Sequence, residues 1–352
     1  MTASSAPILV PVRPNHRIDE AALAAYVRDR VHAFDGPMTV RQFQGGQSNP
    51  TYHLQAGDRQ LVVRKKPPGK LLPSAHAVDR EYQVMKALWG SGVPVPKVHV
   101  LCTDEAVLGQ WFYVMDYVEG RVFADPLAPD AGKDERAAMY REMATVMAKL
   151  HQVDYRAVGL SEFGKPTAYI ARQVARWSKQ YDASKTDDVP SMTKLMAWLP
   201  EHIPPGDESA IVHGDYRLGN LLIHPAEPRV VAVLDWELAT IGHPLADLAY
   251  NCMSYHLKRG TSRGFADLDL ASYGIPGETD YVGLYCKLTG RGDIPHWEFY
   301  VAYALFRIAA ILQGVYKRGL DGNASDAGAV QVGGTFRAIA DHAWSLVERA
   351  RG

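Results

Sequence analysis

Only three cysteines occur in the 352 residues, Cys102, Cys252 and Cys286, and no two stand at the spacing of a metal knuckle. So sparse and odd a set excludes a disulfide framework and a structural zinc site, and it fits reduced thiols in a cytoplasmic setting. Neither sign of charge dominates. Lys and Arg number 38 against 39 Asp and Glu, a formal net charge of −1, which removes the global electrostatic case for nucleic acid or an anionic membrane as partner. The N-terminus, MTASSAPILVPVRPNHRIDE, lacks a basic start followed by a long apolar core and does not read as a secretory signal. The longest apolar-rich run, YVAYALFRIAAILQGVY, is interrupted by Arg307 and Gln313. It is too short and too polar for a membrane span and reads as a buried helix. Repeats and low-complexity tracts are absent as well. What remains is 47% apolar and 22% charged, an ordinary globular composition long enough for one large domain or two lobes.

The pattern along the chain is uneven. Residues 18–33 have an amphipathic helical pattern, and TVRQFQGGQSNPTYHLQAGDRQLVVRKKPPG then alternates short apolar runs with glycine-bearing turns, the signature of β-hairpins. In SAHAVDREYQVMKALWGSG, Ser74 is a candidate cap, and Val78, Tyr82, Met85 and Leu88 recur at helical spacing. Glu81 shares that apolar face, where a carboxylate is costly unless paired. PVPKVHVL and QWFYVMDYV read as strands. After Glu119-Gly120 helical patterns take over, with Met139, Met143, Val146, Met147 and Leu150 on one face of the first. The expectation is an α+β chain: a small antiparallel β lobe over 1–118, a connector near 116–121, and a larger, mostly helical lobe over 119–352.

Two short strands interrupt the helical part, NLLIH and VVAVLD, joined by PAEPR. If they pair as a hairpin, the ends opposite the turn bring Asn220 and Asp235 together, a neutral oxygen and a carboxylate of the hard kind that Mg²⁺ prefers. Just upstream, IVHGDYRLGN places Asp215 five residues before Asn220, where it could accept the proton of an attacking hydroxyl. Phosphoryl transfer needs little more than such parts: positioning, neutralised phosphate charge and an oriented nucleophile. Any one of these residues could be an ordinary turn or strand-end residue; the combination in this strand context is what points to a site.

HGDYRLGN followed by LDWE resembles the catalytic loop and metal segment of the aminoglycoside phosphotransferase-like kinases, a branch of the protein-kinase-like fold, and the resemblance extends over nearly the whole chain. FQGGQSNPTYHL is similar to the glycine-bearing phosphate loop, LVVRKKPPG to the third strand, REYQVMKAL to the helix with the ion-pair glutamate, YVMDYVEG to the hinge, and GHPLADLAY to the segment after the metal site. The resemblance implies a bilobal kinase-like fold using ATP and Mg²⁺. It implies Asp215 as catalytic base, Asn220 and Asp235 as metal ligands, and Gly45, Gly46, Ser48 and Asn49 at the phosphates. Glu81 would pair with the third-strand cation, backbone groups of Asp116 and Val118 would grip adenine, and Met115 would line its pocket. The usual third-strand lysine is Arg64 here, and strand alternation gives Arg64 and Lys66 the same face, so either could reach phosphate. HGD in place of HRD, with no Phe-Gly after Asp235, implies a constitutively formed small-molecule kinase and not a regulated protein kinase. A catalytically silent nucleotide-binding protein of the same fold is the alternative.

Further readings are blander. His213 orients the loop through hydrogen bonds, Asp247 braces the catalytic region, His151 caps a helix, and Tyr169, Trp177 and Tyr181 pack a core. Between 155 and 205 seven Lys and Arg face five acids, a balance that argues against a polycationic acceptor such as an aminoglycoside. RKKPPGKLLPSAHAVDREY resembles the subgroup found fused to acyl-CoA dehydrogenases, which implies a hydroxylated acyl-CoA as the small-molecule acceptor.

Overall fold

The computed structural model describes residues 7–44, 49–69, 76–259, 264–323 and 328–351. In chain order these form β1 (Leu9–Val10), α1 (Glu20–Arg30), β2 (Met38–Phe43), β3 (Thr51–Ala56), β4 (Arg59–Lys65), α2 (Val78–Leu88), β5 (Val98–Cys102), α3 (Glu105–Leu108) and β6 (Phe112–Asp116). The helical part follows with α4 (Lys133–Gln152), α5 (Tyr169–Ser184) and α6 (Pro190–Glu201), then β7 (Ala210–Val212), β8 (Leu221–Ile223), β9 (Val230–Val233) and β10 (Thr240–Gly242). It closes with α7 (Pro244–Cys252), α8 (Leu270–Tyr273), α9 (Glu278–Thr289), α10 (Trp297–Leu320), α11 (Ala329–Gly334) and α12 (Phe336–Arg351).

The first six strands make one antiparallel sheet in the order β1-β2-β3-β4-β6-β5. Successive side chains on a strand point to opposite faces, and β4 uses this to serve two cores. Leu61 and Val63 join Leu23 and Val27 of α1 in one cluster, while Val62 joins Val84, Met85 and Leu88 of α2 in the other. Arg64 therefore falls on the α2 face. Helix α2 has Ala77 in the cap position with no side-chain cap; Ser74 lies outside the described residues. Its buried stripe contains Glu81, 1% exposed, among Val78, Val84, Met85 and Leu88.

The helical lobe is built on α10, whose residues from Phe299 to Phe306 are all buried. This helix is long and apolar enough to cross a membrane by those two measures, yet most of it lies inside the protein, with Arg307 and Gln313 also buried. Two small antiparallel ribbons, β7 with β10 and β8 with β9, pack against α4, and β7 also against α7. The β8–β9 hairpin matches the reading of NLLIH and VVAVLD, whereas β7 and β10, three residues each, are too short to show a period in the sequence. The lobes are also pinned side by side by Arg80 of α2. Its guanidinium lies 4.1 Å over the Phe163 ring and donates to the carbonyls of Phe163 at 2.6 Å and Ala239 at 3.2 Å.

One correction concerns His151. It does not cap α4; its ring is buried between the Tyr285 hydroxyl at 2.7 Å and the Asp247 carboxylate at 3.3 Å, because α4 packs against α9, which carries Tyr285, and Asp247 comes from α7. A second histidine does cap. His243 Nδ1 accepts from the Leu245 N–H at 3.3 Å and starts α7, and burial pushes the imidazole from its usual 6.5 down to about 4. Unfolded, the same ring takes a proton below 6.5, so this group's contribution is complete above that pH and is lost as pH falls toward 4. His243→Asn keeps a short capping acceptor and removes the titration. Its thermal midpoint should fall less steeply than the native one between those two pH values; parallel curves would show that His243 is not the acid-sensitive group.

Candidate active site

The chain leaves β7 at Val212 and enters a loop that ends in a single 3-10 turn, Leu218–Asn220, before β8 begins. Three interactions fix this loop. The Asp247 carboxylate, 3% exposed, accepts the backbone N–H of His213 at 2.7 Å and of Gly214 at 2.9 Å. Burial would raise its pKa, but His151, His213 and these amides outweigh that and hold it below the ordinary value. His213 Nε2 meets the Leu234 carbonyl at 2.9 Å, and its Nδ1 accepts the Asp215 N–H at 3.2 Å. Arg307 of α10 donates to the Gly214 carbonyl at 2.8 Å. Gly214 itself has φ +81°, and a Cβ there would press against the Leu238 backbone, so the position accepts only glycine.

Held this way, Asp215 receives donors on both carboxylate oxygens. Tyr250 donates to Oδ1 at 2.6 Å; Asn220 Nδ2 at 2.8 Å and Arg217 Nε at 3.2 Å donate to Oδ2. Burial works to raise its pKa, and Arg217, Tyr250, His213 and Asn220 together bring it below the usual carboxylate value. Asp215 is therefore a poor free base but a well-oriented acceptor of a hydroxyl hydrogen bond. Tyr250 was not singled out by the sequence reading, although a signal existed. It follows Asp247 by three residues on α7, and side chains three apart share a helix face.

The hairpin sets Asn220 beside the end of β9, with the Leu234 N–H donating to the Asn220 carbonyl at 2.9 Å. Asp235 follows in the left-handed region at φ +66°, a conformation that aspartate tolerates better than most residues. Its carboxylate is 2.7 Å from Arg64, and Arg64 simultaneously pairs with Glu81 at 3.0 Å. Glu81 also accepts from Tyr113 at 3.0 Å and from Asn49 at 3.1 Å. Of the two candidate cations the structure thus brings Arg64 into the cluster and not Lys66. Lys66 lies one residue past the end of β4, over the Trp111 ring at 4.2 Å and 3.9 Å from Asp79.

Other candidates are placed as follows. Asn49 is fully buried with its amide on Glu81, which makes it a support for the ion pair. Gly45, Gly46 and Ser48 lie outside the described residues. Met115 is 8% exposed near the end of β6, and Asp116 follows it with its N–H bonded to the Lys97 carbonyl at 2.8 Å and its carboxylate to Arg59 and His99. Contacts to a purine at this edge would accordingly fall to the Asp116 carbonyl and to Val118.

The donor set suits Mg²⁺. Among the described residues no group of three His, Cys, Asp or Glu forms a ready metal cage, but Mg²⁺ keeps several waters and needs only one or two carboxylates beside phosphate oxygens. Glu237, two residues after Asp235, shows the local excess of negative charge. Burial, then Asp235, push its carboxyl up to about 7, with Arg64 pulling the other way and Glu81 and Asp215 adding to the rise. A cation held by Asp235 and Asn220 would offset that excess. Glu237 stood inside the quoted LDWE motif and was passed over.

A model of the phosphotransferase enzyme family matches residues 39–284. Acyl-CoA dehydrogenase family member 10 of Mus musculus is 47% identical over 342 residues, covering 96% of this chain and 32% of that protein. Acyl-CoA dehydrogenase family member 11 of Homo sapiens is 42% identical over 327 residues, covering 90% of this chain and 41% of that protein. The chain spans less than half the length of these curated relatives. A crystal structure from Ralstonia eutropha, of a protein classed with the aminoglycoside phosphotransferases, is 49% identical with a TM-score of 0.88, covering 95% of this chain and 99% of that one. Spectinomycin phosphotransferase, solved with ADP and spectinomycin, has a TM-score of 0.62 at 11% identity over 95% and 99% of the two chains, a likeness of fold alone.

The cluster yields a stability prediction. Removing Arg64 leaves Glu81 buried beside Asp235 without its counter-charge, and breaking one side of a buried pair costs about 3 kcal/mol or more. Arg64→Ala should lower stability by that amount in chemical unfolding, while Lys66→Ala, at a half-exposed pair, should change it by less than about 1 kcal/mol. Equal losses would show that Arg64 carries no special weight.

Proposed function

Since the chain belongs to the phosphotransferase enzyme family, we propose that this small-molecule kinase transfers the γ-phosphoryl group of ATP to a hydroxyl on an acyl-CoA chain. The observation that supports the acceptor half is the wall of a small cavity, about 30 Å³, next to the loop that carries Asp215, which an acyl chain would have to open to enter. It is walled by Arg217, Leu218 and Gly219 of that loop and by aromatic rings of the helical lobe, with no carboxylate among its described lining residues. A polycationic acceptor would need carboxylates there; a hydroxylated acyl chain needs apolar wall and one oriented base. The names of the mouse and human relatives, acyl-CoA dehydrogenase family members, support a connection to acyl-CoA chemistry.

The residues divide the work in a way their geometry supports. Arg64, held by Glu81, offers a guanidinium to phosphate oxygens and, being an arginine, can do so bidentately. Asp235 and the Asn220 side-chain oxygen would hold Mg²⁺, which supplies neutralisation of phosphate charge when bound. Asp215 accepts the hydrogen bond of the acceptor hydroxyl and takes its proton as the phosphoryl group leaves ADP. Asp247, His213 and Arg307 keep the loop in that geometry before any ligand arrives.

Two variants test this. Asp235→Asn should weaken Mg²⁺-dependent nucleotide binding about tenfold or more while leaving the melting curve intact, as expected when a metal carboxylate becomes an amide. Unchanged Mg²⁺-ATP affinity would remove Asp235 from the metal site. Asp215→Asn should bind Mg²⁺-ATP within a few-fold of the native protein, yet transfer phosphate to a hydroxyacyl-CoA about 10² times more slowly in a single turnover. Native-rate transfer by that variant would rule out Asp215 as the base, and no transfer to hydroxyacyl-CoAs by the native protein, alongside transfer to amino alcohols or sugars, would rule out the acyl acceptor.

A further inference from the structure

Arg217 stands between the base and the cavity, and the surrounding wall leaves it with a role that the phosphotransfer reading does not assign. Its Nε donates to Asp215 Oδ2 at 3.2 Å, while its side chain also lines the cavity and is 26% exposed. The rings that share the wall have spent their polar groups on the protein. The Tyr140 hydroxyl donates to the Pro126 carbonyl at 2.8 Å, Tyr255 to the Pro276 carbonyl at 3.0 Å and Tyr281 to Asn251 Oδ1 at 2.7 Å. Asn251 in turn gives its amide to the Tyr216 carbonyl at 3.2 Å. Toward a ligand these groups, with Phe265 and Met143, present mainly apolar surface. Apart from the Ser254 hydroxyl, the polar capacity left in the described wall is the far end of the Arg217 guanidinium, and Arg217 is the one charged side chain there.

A Cβ at position 219 would meet Arg217 Nη1, the far end of a flexible side chain, so alanine there would displace the guanidinium at small cost to the fold.

We propose that Arg217 is the acceptor-specificity residue, reading a carbonyl or carboxylate oxygen that lies a few bonds from the acceptor hydroxyl on an otherwise apolar chain. The inference rests on the phosphotransfer reading for the place of the hydroxyl at Asp215, and it narrows the acceptor within that reading. An acceptor oxygen at the guanidinium draws Arg217 Nε off Asp215 Oδ2; Asn220 remains bonded there at 2.8 Å, and the place Arg217 vacates is open to the acceptor's hydroxyl. A chain that carries a hydroxyl but no carbonyl or carboxylate oxygen leaves Arg217 on Oδ2 and gains no bond between two charged groups.

The test measures binding without turnover, in the presence of Mg²⁺ and a non-hydrolysable ATP analogue, for the full chain. The probes are 3-hydroxyoctanoate and octane-1,3-diol, which match in chain and hydroxyl position and differ in the second oxygen group. The native protein should prefer the hydroxy acid by about tenfold or more, the worth of one charge-assisted hydrogen bond. In Arg217→Gln the preference should shrink to about threefold or less, chiefly through weaker binding of the hydroxy acid, and Arg217→Lys should restore part of it. Gly219→Ala, which crowds the guanidinium without removing it, should also reduce the preference. A native protein that binds both probes alike, or neither, overturns the proposal. So does an Arg217→Gln variant that keeps the native preference, or one that loses affinity for the ATP analogue and not for the hydroxy acid. A protein that shows the expected preference but transfers phosphate to no hydroxyl supports the role of Arg217 and contradicts the kinase reading, so the two failures are separable.

Discussion

One guanidinium ties the molecule's two halves at the point where chemistry would occur. Arg64 leaves the central strand of the β lobe, meets Glu81 on α2 at 3.0 Å and reaches Asp235 of the helical lobe at 2.7 Å. A lysine is a compact point charge, whereas the arginine fork engages two carboxylates at once, which explains why this position can carry arginine without losing the ion pair. Arg64 is 13% exposed and Glu81 1%, so water screens that pair little, whereas Asp235 at 33% is the more solvated end of the bridge. Arg80, the residue before Glu81, reinforces it by bonding α2 to two carbonyls of the helical lobe. Helix α2 is thus fixed from both sides of a single turn.

The loop that carries Asp215 is fixed by an equally internal set of contacts. Protein kinases regulated through this loop use an arginine in it to receive a phosphorylated segment. Here that position is Gly214, its geometry demands glycine, and the arginine that touches the loop is Arg307 from the core helix. Arg307 is 7% exposed and lies 4.9 Å over Tyr250, the same tyrosine that bonds Asp215. Among the described residues these contacts are internal ones, with Asp247 3% and Arg307 7% exposed. The same buried contacts that hold the loop also place Asp215 beside Tyr250 and Asn220.

How much of this was legible in the sequence follows from distance along the chain. Asp215, Asn220 and Asp235 are close in sequence and joined by a hairpin whose two apolar runs are easy to see, so spacing alone suggested their proximity. The pairing of Glu81 with a third-strand cation was suggested by a carboxylate on an apolar helix face, a conflict that only a buried partner resolves. The choice between Arg64 and Lys66 was not legible, because a pleat assigns both to one face and the decision lies in where β4 ends. Arg307 reaches the loop from 93 residues away, inside a run whose composition announces only a buried helix. Its role depends on how α7 and α10 pack, which no local pattern encodes. His151 failed as a cap for the same reason: its partners come from α7 and α9, far along the chain.

The central claim is that this cleft is assembled before nucleotide arrives, with Arg64 and Arg80 holding α2 against the helical lobe. Hydrogen–deuterium exchange of the α2 amides in the nucleotide-free protein tests it most directly. The account predicts slow exchange from Tyr82 to Leu88 without ligand and little further protection on adding Mg²⁺ and a non-hydrolysable ATP analogue. Rapid exchange of these amides in the free protein, with protection appearing only when nucleotide binds, would contradict it.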